Sequence, residues 1–243
     1  MQKDTQNWYS SWFDTPYYHI LYKNRDYREA GNFMENLTSF LKLKKNNEIL
    51  DLACGKGRHS KYLNELGFKV TGVDLSPKSI SFAKQFENSS LHFKEHDMCL
   101  PYPKKFDAVF NLFTSFGYFD KAEDNLRTIK AIKTELKPNG FAVIDFLNAE
   151  YVKRNLVPSE TKTIDNITFH IHRSIVEGYI IKRICFQHEN EDFSFEERVK
   201  AITLSEFKDC FNQADVKLLN CFGDYQLNEY KEETSERLIL IFN

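Results

Sequence analysis

Apolar positions recur in two rhythms along this chain, and the switch between them organises it. Between residues 45 and 150, short apolar runs alternate with segments whose apolar residues return every three or four positions. That is the pattern of buried strands separated by amphipathic helices. The runs are Ile49-Leu50 with Leu52, Phe68 to Asp74, Leu91 to Asp97, Phe106 to Leu112 and Phe141 to Phe146. Helices are expected from about Arg58 to Leu66, capped by Gly67, and from Ser76-Pro77, a good N-cap and N1 pair, to about Glu87. A third is expected from Lys121 to Leu136, stopped by Pro138-Asn139-Gly140. Strand and helix alternating at this pace specify a parallel sheet covered on both faces. Right-handed crossovers then gather the C-terminal strand ends on one side, where ligands bind.

From about Ile164 to Thr203 the period becomes two. Ile167 to His172, Gly178 to Phe186 and Phe193 to Val199 alternate like half-buried strands, with turn residues at Glu177-Gly178 and Asn190-Glu191-Asp192. A three-stranded antiparallel insertion after the fifth strand is expected. A helix from Ser205 to Ala214 and strands at Val216–Phe222 and Arg237–Phe242 would close the chain. Ahead of the first strand, Trp8, Tyr9, Trp12, Phe13, Tyr17, Tyr18, Leu21 and Tyr22 crowd together. Pro16 introduces a helix at Tyr17–Tyr22, and Phe33, Leu37, Phe40 and Leu41 mark a second. These two helices read as a cap that packs on the sheet or roofs a pocket. The whole chain, 1–243, reads as a single domain: a helical cap at 1–44, a core at 45–150, the insertion at 160–203 and the closing helix and strands at 204–243.

Composition narrows the partners. A formal net charge of −2, with basic residues dispersed, argues against a nucleic-acid surface. The 5 cysteines, with no C-x-x-C spacing, fit neither a disulfide framework nor a zinc ribbon and suit a reducing compartment. No leader-like apolar segment or membrane-length run is visible, so a cytoplasmic protein with no membrane partner, a monomer or a homodimer, is expected. The 22 Phe and 12 Tyr imply a ring-rich core or a ring-lined cavity.

The chemistry concentrates at Glu48 to Ser60, where a strand runs into Ala53-Cys54-Gly55-Lys56-Gly57 and then into a helix. Glycine lets such a turn bend sharply and lets a ligand approach closely. A dinucleotide fingerprint would need a third glycine where Ser60 stands, and a Walker loop is absent. A ligand without a pyrophosphate is therefore favoured over a nicotinamide dinucleotide. Asp74 ends the second strand, where a carboxylate can accept both hydroxyls of a ribose or complement the dipole of the next helix. Gly55, Asp74, Asp97 and Asn111 all fall at or just after strand ends on the expected ligand side.

Ile49 to Ser60 resembles motif I of the class I S-adenosylmethionine-dependent methyltransferases. Thr71-Gly72-Val73-Asp74-Leu75-Ser76 is similar to that family's ribose segment, and His96-Asp97-Met98 to its adenine segment. Phe106 to Tyr118 resembles the fourth-strand motif of small-molecule members such as amino-sugar N-methyltransferases, and Leu136 to Phe141 the turn into the fifth strand. The resemblance implies a Rossmann-like α/β fold: a seven-stranded, mostly parallel sheet with an antiparallel last strand. It also implies S-adenosyl-L-methionine as cofactor and direct methyl transfer to an acceptor. On that analogy Asp51, Ala53, Cys54, Gly55 and Gly57 surround the methionine portion, Asp74 and Leu75 the ribose, and Asp97 and Met98 the adenine. Asn111 and Leu112 border the sulfonium, and Tyr22 and Arg25 are contacts to the cofactor carboxylate or ordinary helix-surface residues. Ala53 replaces the family's usual first glycine, a change the turn accepts if φ there is negative.

The acceptor is expected to be a small molecule methylated at N or O. The base-amine signature Asn/Asp-Pro-Pro-aromatic and a Pro-Cys nucleophile are both missing, which with the near-neutral charge disfavours a nucleic-acid substrate; RNA or protein methylation and a non-catalytic cofactor-binding module stand as the alternatives. No metal site is expected, since His170 and His172 share a strand face without an identified third ligand. No catalytic residue is assigned. Tyr118, His170, His172 and Tyr179 are candidate bases that the pattern does not separate, and His59 reads first as a residue shaping the helix start.

Overall fold

The computed structural model describes residues 12, 13, 15–23, 27–119 and 121–243. The chain forms two compact units: residues 26–151 with 202–243, and residues 1–25 with 152–201.

The larger unit is built on strands β1 (Glu48–Leu52), β2 (Lys69–Asp74), β3 (Leu91–Glu95), β4 (Phe106–Asn111), β5 (Leu136–Leu147), β10 (Leu218–Phe222) and β11 (Arg237–Phe242). They form one sheet in the order β10-β11-β5-β4-β1-β2-β3. β1, β2, β3, β4 and β5 pair in parallel, and β11 runs antiparallel between β5 and β10. This is the expected seven-stranded sheet with its antiparallel ending. The chain winds outward from β1 through β2 to β3 on one side and through β4 to β5 on the other. The crevice between the C-terminal ends of β1 and β4 is thus a topological switch point, the place where open α/β sheets bind ligands.

Helix α2 (Tyr27–Phe40) buries Ala30, Phe33, Met34 and Leu37, which recur at three- and four-residue spacing, in the core beneath the sheet. α3 (Arg58–Glu65) follows the glycine turn, and α4 (Pro77–Ala83) starts with Ser76 accepting the Ser79 N–H. α4 is shorter than expected: a 3-10 turn at Lys84–Phe86 replaces its last part. α5 (Ala122–Glu135) runs directly into β5. Pro138-Asn139-Gly140 therefore lies inside the strand run as a bulge, with Asn139 at φ 64° and the register slipping between Phe106↔Leu136 and Ala108↔Phe141. α7 (Leu204–Ala214) opens with a capping box between Thr203 and Glu206. α6 (Ala149–Asn155) spans the sequence boundary between the units.

The smaller unit contains α1 (Pro16–Leu21) and an antiparallel sheet β6-β7-β8-β9, formed by Ser159–Ile164, Ile167–Val176, Tyr179–His188 and Glu191–Lys200. Four strands stand where three were expected. The extra one, Ser159-Glu160-Thr161-Lys162-Thr163-Ile164, pairs along its whole length with β7 but carries almost no apolar residues, so no alternation announces it. One face of this sheet packs Phe169, Ile171, Ile184 and Phe186 with Trp12 and Leu21 into a separate apolar cluster. Phe186 and Phe193 stack at 5.0 Å, and the Trp12 Nε1–H is satisfied by Glu197 at 2.8 Å. Among the described residues, no helix is long and apolar enough to cross a membrane.

Candidate functional site

The site is assembled at the switch point of the larger unit, from the β1 end upward. The run from Ala53 to Gly57 turns through left-handed conformations at Ala53 (φ 60°), Gly55 (φ 55°) and Gly57 (φ 79°). The condition attached to alanine at the first position is therefore not met. Ala53 adopts a φ that L-residues disfavour by about 1–2 kcal/mol. The two glycines have different tasks. A Cβ at Gly57 would lie 2.6 Å from the Phe93 ring, so this glycine seats the turn on the core. A Cβ at Gly55 would meet nothing within 4 Å, which leaves open room beside the backbone.

Beneath the turn, Asp51 is 3% exposed and accepts the Ser60 Oγ–H at 2.5 Å. Burial pushes its carboxyl up to about 7, with Ser60 opposing and the nearby Asp74 charge adding to the rise. Burial, followed by the charges of Asp51 and Asp74, also raises Cys54 well above the usual thiol range and keeps it protonated. Asp74 accepts the Gly55 N–H at 2.8 Å and the Ser76 N–H at 2.8 Å. It thus ties the glycine turn to the start of α4. An ionised carboxylate has about four acceptor positions, so closing a turn and receiving hydroxyls are compatible tasks. Leu75, next in sequence, is 52% exposed.

Asp97 accepts the Cys99 N–H at 2.9 Å in the loop after β3, beside the half-buried Met98. Met98 approaches the next strand end directly: the Asn111 Nδ2 lies 3.6 Å from its sulfur and donates to the Leu52 carbonyl at 3.2 Å. Asn111 and Leu112 are both buried, and the Asn111 Oδ1 accepts no hydrogen bond. Asp51, Ala53, Cys54, Gly55, Gly57, Asp74, Leu75, Asp97, Met98, Asn111 and Leu112 are therefore gathered along the β1, β2, β3 and β4 ends of one sheet. Tyr22 lies in the other unit, where its hydroxyl donates to Glu197 at 2.6 Å and contacts Lys182. Arg25 lies outside the described residues. Of the candidate bases, His170 and His172 project from the exposed face of β7 beside Thr161 and Ser159, and Tyr179 is stacked by Arg198. Among the described residues, no three metal-ligating side chains cluster.

A second set of residues at this edge was not singled out from the sequence. Past Leu112, Phe113 (φ 56°) and Thr114 (φ 61°) form a left-handed turn whose Phe113 ring stacks on His59 at 4.2 Å. Asp145, fully buried on β5, accepts the Phe113 N–H on Oδ2 at 2.8 Å, and its carbonyl accepts the Thr114 N–H at 3.0 Å. Arg237 on β11 donates to the Asp145 Oδ1 at 2.6 and 2.8 Å and to the Thr114 Oγ1 at 2.9 Å. Burial pushes the Asp145 carboxyl up, against the downward pull of Arg237 and the Phe113 N–H. Tyr225 and Phe33 complete an aromatic group around Phe113, with centroids at 5.5 and 5.9 Å. A signal was present: an acid inside the apolar run Phe141–Phe146 and an arginine heading Leu238–Phe242 are charges that a buried strand must pair.

Residues 50–144 match the family model described as a methyltransferase domain. The chain is 42% identical over 101 residues to the "Putative methyltransferase YqeM" of Bacillus subtilis (strain 168), a match covering 40% of this chain and 41% of that protein. The match thus spans about two fifths of that relative's length. Among solved structures, the chain is similar to an S-adenosylmethionine-dependent methyltransferase from Clostridium acetobutylicum ATCC 824, with TM-score 0.78, 20% identity and coverage of 93% and 95% of the two chains. It is also similar to SAM-bound CalS10, an amino pentose methyltransferase from Micromonospora echinaspora, with TM-score 0.72, 16% identity and coverage of 94% and 96%. At these identities the likenesses show the fold alone, which is the class I methyltransferase fold expected from the sequence.

Proposed function

We propose that this protein transfers a methyl group from S-adenosyl-L-methionine to a nitrogen or oxygen of a small molecule. The observation that carries the reading is the arrangement at the switch point. Open room at Gly55 adjoins a carboxylate, Asp74, and an exposed apolar side chain, Leu75, at neighbouring strand ends. An adenosyl ligand needs this combination: close approach of a backbone, an acceptor for two hydroxyls and an apolar surface for a base. The backbone of Ala53 to Gly57, with Asp51 and Cys54 beneath it, would hold the methionine end. Asp74 would hold the ribose, Leu75, Asp97 and Met98 the adenine side, and Asn111 and Leu112 the region of the sulfonium. When bound, S-adenosylmethionine supplies an activated methyl group on sulfur. The protein's own contribution is line-up and exclusion of water, which suffice for a direct displacement. The raised Cys54 thiol stays protonated and does not compete as a nucleophile. The amino-sugar type of acceptor is supported by the fourth-strand segment Asn111 to Tyr118 and by the fold shared with the amino pentose methyltransferase.

Calorimetric titration with S-adenosylmethionine, S-adenosylhomocysteine and NAD tests this reading. Micromolar binding of both adenosyl ligands with NAD silent is expected, and Asp74→Ala is expected to weaken them by about 10–100-fold, roughly 1.4–2.8 kcal/mol. NAD binding alone would overturn the cofactor, and an unchanged affinity in Asp74→Ala would remove the ribose role.

A further inference from the structure

We propose that Asp145 is a positioning residue for the methyl-donor site, acting through the left-handed Phe113–Thr114 turn. The inference rests on the cofactor reading above. Two consecutive non-glycine residues with φ near 60° are each strained, and such a conformation persists only where the surroundings over-determine it. Here the surroundings are one carboxylate and its arginine. The Asp145 side chain takes the Phe113 N–H, its backbone takes the Thr114 N–H, and Arg237 bonds both the carboxylate and the Thr114 hydroxyl. The turn begins directly after Asn111-Leu112, the strand end assigned to the sulfonium. It also carries the Phe113 ring onto His59, which starts the helix after the glycine turn. One buried ion pair therefore fixes the β4 side of the switch point against the β1 side.

The consequence is selective. Loosening the turn disturbs the sulfonium end and, through the Phe113–His59 stack, the glycine turn that would hold the cofactor's amino-acid portion. The adenosine portion is held from β2 and β3 by Asp74 and Asp97, neither of which bonds this turn. The test compares S-adenosylhomocysteine with 5′-methylthioadenosine, which has the adenosine and lacks the amino-acid group, by calorimetry on the full chain. Asp145→Asn keeps the size of the side chain and removes its charge. Thr114→Gly keeps the ion pair, relieves the left-handed strain and removes the arginine's contact with the turn, so it remains foldable even if Asp145→Asn does not. Both variants are expected to bind S-adenosylhomocysteine about tenfold more weakly with 5′-methylthioadenosine unchanged, and Thr114→Gly is expected to keep or raise the Tm. Equal weakening of the two ligands, or no weakening in a folded Thr114→Gly, overturns the proposal and leaves Asp145 a purely structural residue. A wild-type protein that binds neither ligand sinks the cofactor reading and this inference with it, an outcome distinct from either variant effect.

Discussion

Asp51 on β1 and Asp145 on β5 are both buried, at 3% and 0% exposure, in neighbouring parts of one sheet, yet they meet different partners. Asp51 has a serine hydroxyl and lies near a second carboxylate, so nothing neutralises its charge and its carboxyl rises to about 7. Asp145 has a guanidinium at 2.6 Å and the Phe113 N–H at 2.8 Å on its carboxylate, so its charge has partners in place that oppose the upward push of burial. The β1 side of the crevice is a local structure, made within about two dozen residues of sequence from Asp51 to Asp74 and open to protonation. The β4–β5 side is a long-range structure, closed by a residue from the last strand and fixed by charge.

This contrast is sharpest in pH dependence. A carboxyl whose folded pKa lies above its ordinary 3.8 binds protons more readily in the folded state than in the unfolded state. Its stabilising contribution is full below about pH 4 and is lost as pH rises to about 7, by at most about 4 kcal/mol for Asp51. Glu135, buried with its carboxyl also raised to about 7, acts in the same direction. The urea midpoint of the protein is therefore expected to fall between pH 5 and pH 8. Asp51→Asn in a Glu135→Gln background should reduce that decline, leaving the part due to Asp145, which burial also raises against the pull of Arg237. A decline undiminished in the double variant would break the comparison, because the uncompensated charge would then lie elsewhere.

Glycine substitutions divide the β1 side itself. Gly57→Ala combines a φ of 79° with a Cβ at 2.6 Å from Phe93, so a loss of about 2–4 kcal/mol is expected from strain and overpacking together. Gly55→Ala has the strain without the collision and should cost about 1–2 kcal/mol. Its larger effect should be on adenosyl-ligand binding, since the methyl group would enter the open room. Denaturation and titration of the pair check both statements. Equal stability losses would show that the space beside Gly55 is not open in solution.

The same division explains what could be read from the chain. The β1–β2 side was legible because its determinants are adjacent: a strand, a small-residue turn, a helix start, then an acid at the next strand end. β6 was not, because a polar strand is stabilised by pairing with β7 and leaves no periodicity of its own. Asp145 and Arg237 were written in the sequence as isolated charges in apolar runs, but their separation of 92 residues concealed the pairing. The left-handed turn at Phe113–Thr114 had no sign at all, since neither residue favours that conformation and only the distant ion pair imposes it. Tertiary interactions of this kind override local preference, and a functional edge is where they are expected.

Ala53 provides the finest adjustment of the comparison, because it is strain held locally rather than by a remote charge. Its φ of 60° puts a Cβ where the family's usual glycine has none. Ala53→Gly should release about 1–2 kcal/mol of backbone strain and return about 0.4–1 kcal/mol of that to the greater freedom of the unfolded chain. A net gain of about 0.5–1 kcal/mol in urea denaturation is expected, with S-adenosylhomocysteine affinity changed by less than about threefold, roughly 0.7 kcal/mol. A stabilised variant with unchanged affinity would show that the glycine turn keeps its shape without help from Ala53. A destabilised one would mean that the alanine methyl packs well enough to outweigh its own strain, and the β1 side would then depend on side-chain contact as the β5 side does.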